Sequence, residues 1–249
     1  MSTGRRVAIV GATRGMGRAL ARALADRGDA LVLLGRDTDA LQKSAADLAI
    51  RGQGKAYEVG RCDLDAPETF ASAVEHAKIQ LGGLDVFIVT AGDFAVQDEL
   101  EQDPERARVL CTRNFAHTVA LCEHARIALL EQRNGTLCVF SSVAGDRGRS
   151  PVVVYGASKA GLSAYLEGLD HRFRHQGLRT VCVKPGFVRT SMTQGLPEPP
   201  FAGEPEDVAQ RVVRAIDRGT PMVYAPSIWA WVMAVIRRLP RWVMRRVGF

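Results

Sequence analysis

Apolar residues in this chain fall into two kinds of stretch: short unbroken runs, and longer segments in which they recur every three or four positions. Val7 to Val10 is the first run; it ends in Gly11-Ala12-Thr13-Arg14-Gly15-Met16-Gly17 and passes into ALARALADRG, which has helical spacing. Unbroken runs closed by turn residues predict buried strands, and their alternation with helical text predicts a parallel sheet with helices on both faces. The same pattern places strands at Ala30 to Leu34, near Lys55 to Val59, from Asp85 towards Gly92, at Gly135 to Phe140 and at Leu178 to Lys184. Helices are predicted at Thr38 to Ile50, at Asp103 to Glu131 with Pro104 in the first turn, and at Pro151 to His175. Residues 193–206 contain Pro197, Pro199, Pro200 and Pro205 and cannot form a continuous helix.

The strand, glycine turn and helix at the start form the first half of a dinucleotide-binding unit. Glycines let backbone approach a pyrophosphate, and a helix N-terminus attracts its charge. Downstream, Ser142 stands 13 residues before Tyr155, and Lys159 follows four residues later. Positions four apart share a helix face, so Tyr155 and Lys159 point into one site. A fixed ammonium is expected to lower the phenol's pKa from about 10, and Ser142 to hold a substrate oxygen beside it. The set suits proton exchange between a carbonyl and its alcohol.

Ser142, Tyr155 and Lys159, together with the G-x-x-x-G-x-G loop, resemble the short-chain dehydrogenase/reductase family, from Val7 to about Asp217. The resemblance implies a Rossmann-type, doubly wound α/β fold with a mostly parallel sheet of about seven strands. It implies Tyr155 as acid/base, Lys159 as its tuner and a ribose ligand, Ser142 as the orienting hydroxyl, and Asn114 as a side chain that holds a relay water at a helix distortion. It also implies cofactor contacts at Gly11, Thr13, Arg14, Gly15, Met16 and Gly17, at Ala91 and Gly92, and at Pro185, Gly186, Val188 and Thr190. Asp63 and Leu64 take the adenine role by the same resemblance; a lone Asp after a strand also reads as a helix cap, a task open to Asp65. The family usually has Asn-Ala-Gly where this chain has Thr90-Ala91-Gly92, so the asparagine's hydrogen bonds need a replacement. Arg36 ends the second strand and Arg14 lies in the glycine loop; an arginine there pairs with the extra phosphate of NADP, whereas an acid favours NAD. The reading is NADP(H), with Asp37 as the contrary sign.

Composition narrows the partners. The chain has 249 residues and a net charge of +6, but Arg237, Arg238, Arg241, Arg245 and Arg246 lie in a tail without acids, and the rest carries only +1. That distribution argues against a nucleic-acid partner. Five scattered cysteines show no metal spacing and read as reduced thiols of a cytoplasmic protein. No metal is expected. Met1 to Arg6 is short, polar and basic, unlike a targeting segment, and no apolar run approaches the roughly 20 residues of a membrane span.

One domain is expected over residues 1–226, followed by a tail, 227–249. Small residues at Gly156, Ala157, Ala160, Gly161 and Ala164 suit a helix from a second subunit, so a homodimer or homotetramer is expected. Ile228 to Ile236 is nine consecutive apolar residues, and beyond Pro240 a helix sets Val243, Met244 and Val247 opposite Arg241, Arg245 and Arg246. Such a tail either completes the subunit or substrate site, or meets an anionic membrane surface. The C-terminal part further resembles those family members that reduce a 2-keto pentose on a polyprenyl phosphate. The readings are therefore an NADPH-dependent ketone reductase acting on a lipid-linked keto-sugar, a reductase of another lipid or small ketone, or a redox-sensing NADPH-binding regulator without turnover.

Overall fold

The computed structural model describes residues 4–51 and 56–246. The expected strand start at Lys55 and the tail positions from Val247 to Phe249 lie outside them. Seven strands form one parallel sheet: β1 (Arg6–Val10), β2 (Ala30–Gly35), β3 (Glu58–Arg61), β4 (Val86–Val89), β5 (Thr136–Phe140), β6 (Arg179–Pro185) and β7 (Met222–Ala225). Their spatial order is β3-β2-β1-β4-β5-β6-β7. The direction of winding reverses between β1 and β4, and the cleft of such a sheet opens at the carboxyl ends of the strands there.

Helices α1 (Gly15–Asp26), α2 (Thr38–Arg51) and α8 (Pro205–Arg218) cover one face, where Val7 and Ile9 meet Leu20, Leu24, Leu41, Val212 and Ile216. On the other face Ala8 and Val10 meet Phe70 and Val74 of α3 (Thr69–Leu81), together with residues of two later helices. Adjacent residues of β1 thus serve opposite cores, which explains why its apolar run has no polar alternation.

Several boundaries differ from the sequence reading. The third strand is Glu58–Arg61, two residues later than its reach at Val59; it is an edge strand with no fully buried residue, so its hydrophobic signal is weak. The long helix expected from Asp103 is broken. Asp103 caps α5 (Pro104–Cys111) by accepting from the Arg106 N–H at 3.0 Å, a π turn runs Thr112–His117, and α6 (Thr118–Glu131) follows. A short α4 (Gln97–Gln102) precedes it, which the sequence reading left out. The expected Pro151 to His175 helix is α7 (Val153–Phe173), flanked by single 3-10 turns. Pro205 opens α8, where its missing N–H costs nothing.

The tail forms α9 (Ile228–Ile236) and a short α10 (Arg241–Met244). Trp229, Met233 and Ile236 pack with Val143, Tyr224 and Met244, so α9 covers the carboxyl ends of β5 and β7. Its outer face leaves Trp231 76% and Val235 62% exposed. Both sequence alternatives for this segment therefore have a face: one completes the subunit, and the other is bare apolar surface.

Candidate active site and cofactor cleft

The loop after β1 is built on close backbone contacts. Gly11 takes a φ of +96°, and a Cβ at Gly17 would lie 2.1 Å from the Gly11 carbonyl oxygen, so neither position admits a side chain without a shift of the loop. The Thr90 hydroxyl lies 3.0 Å from each of the Val10 and Gly11 carbonyls and donates to them. The threonine thus supplies the cross-link between β4 and the glycine loop expected to need a replacement. Helix α1 opens here with no side-chain cap and no acid in its first turn, so its free N–H groups face the cleft.

The cleft has a volume of about 660 Å³. It is lined by Gly11, Thr13, Arg14, Gly15, Met16, Gly17, Arg36, Asp63, Leu64, Ala91, Gly92 and Thr190, all expected as cofactor residues. Arg14 and Arg36 are exposed, and their side chains make no close ion pair or hydrogen bond among the described residues. Asp37 accepts from the Ala40 N–H at 2.9 Å, which turns that carboxylate to the start of α2. A cradle with uncapped N–H groups and two guanidinium groups that make no close ion pair fits a phosphate-bearing dinucleotide.

Five expected contacts do not line the cleft: Tyr155 and Lys159, which stand beyond its end, and three residues at the close of β6. Pro185 is buried within β6; Gly186 faces the tail, where a Cβ would lie 2.1 Å from Trp229 Nε1; and the Val188 carbonyl accepts from the Thr193 hydroxyl at 2.6 Å. None of these three lines the cleft. The capping task left open to Asp65 is not what it performs. Asp65 and Asp93 both pair with Arg113, whose guanidinium holds the Asp65 carboxyl below the usual range. Asp63 instead accepts from the Asp65 N–H at 3.1 Å. Arg113 and Asp93 were missed in the sequence because they belong to no motif; their only signal was adjacency to Asn114 and Gly92.

At the other end of the cleft the expected catalytic residues gather. Ser142 leaves β5, and its Oγ accepts from the Ala144 N–H at 3.1 Å, which leaves its proton free to donate. Ser141 lies 2.9 Å from the Lys159 carbonyl and 2.7 Å from Ser163 Oγ, pinning α7 to the end of β5. Phe94, which lines the cleft, packs edge-on against the Tyr155 ring at 5.1 Å between centroids. Lys159 Nζ lies 5.8 Å from the Tyr155 ring centre and donates to the Phe140 carbonyl at 2.9 Å. Burial lowers the Lys159 pKa to about 8.

The structure gives two of these residues surroundings that spacing did not supply. Burial raises the Tyr155 pKa, and the hydrogen bond with Ser142 opposes it; Lys159 is held by a carbonyl and does not reverse the direction. Asn114 does sit on a helix distortion, the π turn, but its side chain is fully buried and bonds both ends of the Asp93 backbone. Its Oδ1 accepts from the Asp93 N–H at 2.7 Å, and its Nδ2 donates to the Asp93 carbonyl at 2.8 Å. It clamps the loop after β4. The small residues of α7 are also partly filled from within, since Gly161 lies under the Phe115 ring of the same chain.

All five cysteines are free, and four are buried. Burial pushes the Cys62 thiol up to about 12 and raises those of Cys122 and Cys138 further, so these are poor nucleophiles. Among the described residues no cluster of three metal-ligating side chains occurs, and no helix is long and apolar enough to cross a membrane.

A parallel sheet with a glycine-lined cleft at its switch point and a Ser-Tyr-Lys set at one end defines a nucleotide-dependent oxidoreductase fold and site. The short chain dehydrogenase family model matches residues 5–200, and the chain belongs to this family. It is 34% identical to an uncharacterized oxidoreductase of Mycobacterium tuberculosis, over 97% of this chain and 96% of that protein. It is 28% identical to carbonyl reductase family member 4 of Xenopus tropicalis, over 83% and 88%. In fold it matches levodione reductase with a TM-score of 0.80 at 23% identity, over 88% of this chain and 95% of that one. The family uses NAD(P)(H), and the chain is an oxidoreductase of this class.

Proposed function

We propose that this protein is an NADPH-dependent ketone reductase, working also as the reverse alcohol dehydrogenase. The observation that carries this reading is the gathering of Ser142, Tyr155 and a buried Lys159 beside Gly92 and Phe94, which line the dinucleotide cleft. The bound cofactor supplies the hydride. Ser142 orients the carbonyl oxygen, and Tyr155, kept protonated by its burial, donates the proton to that oxygen. Lys159 keeps a positive charge beneath the ring, and Asn114 fixes the loop that carries Gly92 and Asp93. Steady NADPH consumption with a panel of ketones tests the reading. Tight NADPH binding with no consumption across keto-sugars and long-chain ketones would favour the redox-sensing regulator.

The NADPH preference rests on Arg36 and Arg14, whose side chains make no hydrogen bond or close ion pair among the described residues, and on Asp37 being engaged at the start of α2. Replacing Arg36 with aspartate exchanges a charge-assisted phosphate contact for repulsion. The Kd for NADPH is expected to rise about 100-fold in Arg36→Asp, with NADH changed only a few-fold. Equal losses for the two cofactors would remove Arg36 from the phosphate site.

For the substrate we favour a lipid-linked keto-sugar, with the tail as a peripheral contact to an anionic membrane surface. Exposed Trp231, Val235 and Trp242 beside Arg237, Arg238, Arg241, Arg245 and Arg246 support it. The protein is expected to co-float with anionic liposomes, less so at high salt, and loss of residues 237–249 should abolish this while preserving NADPH binding. Full-length protein that ignores anionic liposomes at low salt would leave the other lipid or small ketones as substrates. We also read the chain as a homodimer or homotetramer, supported by exposed Val153 and Ala157 on α7.

A further inference from the structure

Ser142 sits inside a short turn that is tied to β6 at both ends. At the first end the Ser141 N–H donates to the Val183 carbonyl at 2.8 Å. The chain then leaves the sheet through a single 3-10 turn, Val143–Gly145, with Ser142 at its start and Asp146 at its close. Within it the Gly145 N–H donates to the Ser142 carbonyl at 3.1 Å, and the Asp146 N–H to the Val143 carbonyl at 3.2 Å. At the second end the Asp146 carboxylate returns to the sheet at Lys184, the residue after Val183. One oxygen accepts from Lys184 Nζ at 2.5 Å, and the other from the Tyr224 hydroxyl at 2.6 Å. Lys184 and Tyr224 are register partners on β6 and β7, so the ammonium and the phenol stand side by side as a two-point seat for the carboxylate.

The Asp146 side chain is 2% exposed and that of Lys184 10%. A carboxylate taken out of water is tolerated only when it is paired and hydrogen-bonded, and both oxygens are used here. Neutralising Lys184 needs only one of them. The bond from Tyr224 fixes the carboxylate in a second direction, against a second strand. The turn has little slack elsewhere: Val143 packs with Trp229 and Met233 of α9, and a Cβ at Gly145 would lie 2.7 Å from the Ala160 nitrogen of α7. A displacement at Asp146 is therefore carried back along the hydrogen-bonded turn to Ser142.

We propose that Asp146 is a positioning residue for Ser142: its carboxylate, seated on Lys184 and Tyr224, sets where the serine hydroxyl stands. The proposal deepens the reductase reading and rests on it for the task of Ser142, but the turn has its own readout.

The test uses the full-length protein in two arms. In the first, kcat for a ketone is measured at saturating NADPH in the wild type, Asp146→Asn, Ser142→Ala and the double variant. Asp146→Asn is expected to lower kcat about 10- to 100-fold, the cost of misplacing a reacting group by about 1 Å, with Kd for NADPH changed less than about twofold. In the Ser142→Ala background the same change should cost less than about twofold, because no hydroxyl is left to misplace. Tyr224→Phe removes only the donor to the second oxygen and should cost about 3- to 10-fold, again only when Ser142 is present.

In the second arm hydrogen exchange is followed at the Ala144, Gly145 and Asp146 amides without substrate. Asp146→Asn should quicken it by about tenfold or more at these amides and leave β1 and α1 unchanged. Equal losses of kcat in the two Ser142 backgrounds, an unchanged kcat in Asp146→Asn, or exchange that is unchanged at the turn or quickened throughout the chain overturns the proposal. If the wild type reduces no ketone while exchange quickens at the turn alone, the reductase reading falls and Asp146 stands as the clamp on Ser142. Should Asp146→Asn fail to fold around an unpaired Lys184, Tyr224→Phe and the double variant Asp146→Asn/Lys184→Met, which removes both charges, carry both arms with the same expectations.

Discussion

Tyr155→Phe is expected to lower kcat by about 10²–10⁴-fold, the range for loss of a positioned general acid, while Kd for NADPH changes less than about threefold. The phenol is the acid placed at the edge of the cleft, and its burial keeps it protonated at neutral pH. The ring itself stays: its edge contact with Phe94 and its position over Lys159 do not need the hydroxyl. Binding and folding should therefore survive when chemistry does not. Single-turnover rates measured with saturating NADPH, beside the Kd from fluorescence titration, separate the two quantities. A variant that retains a tenth or more of the wild-type rate would assign the proton to another group.

Lys159→Met should damage both chemistry and binding, because one ammonium is expected to serve Tyr155 and the cofactor ribose. Losses of about 10²-fold in kcat, with a clear rise in Kd for NADPH, are expected for removal of a charged donor that a methionine cannot replace. The same variant carries a stability signature with a defined sign. The folded-state pKa of Lys159 is about 8, below the usual lysine value of 10.5, because burial disfavours the charged form. The folded protein therefore binds this proton more weakly than the unfolded chain. The cost to stability is fully present below pH 8 and fades as the pH rises from 8 to 10.5. Methionine removes that cost, although it leaves the Phe140 carbonyl without its donor. Relative to the wild type, the melting temperature of Lys159→Met is expected to be most favourable near pH 7 and to decline towards pH 10. A difference independent of pH would mean that Lys159 is not strongly desolvated in the folded state.

The reach of sequence reasoning differed from one residue to the next. Periodicity identified β1, β2, β5 and β6 because central parallel strands are buried on both faces and must be continuously apolar. It misplaced β3, an edge strand whose exposed positions tolerate Glu58 and Arg61. It read one helix across the π turn, because a single extra residue in a helical ladder leaves no mark on apolar spacing. The glycine loop was legible through the one residue type that permits its backbone. Replacement of the usual asparagine was visible as a problem in Thr90, but its solution required knowing that the hydroxyl reaches the carbonyls at the end of β1 and the start of the glycine loop.

The sequence by itself determined the fold class, the glycine-lined cofactor cleft and the placing of Tyr155 and Lys159 on one helix face. Each follows from local rules of strand burial, glycine conformation and helical period, which act over a few residues. Only the tertiary structure decided what the groups do to one another. It sets the Asn114 amide against the Asp93 backbone, holds Lys159 on a carbonyl, and packs Trp229, 43 residues later, against Gly186. Those facts depend on contacts between segments far apart in the chain, and burial there outweighs the intrinsic character of the side chain. That is why Tyr155 and Lys159, recognisable by spacing, have pKa values moved in directions that spacing could not supply.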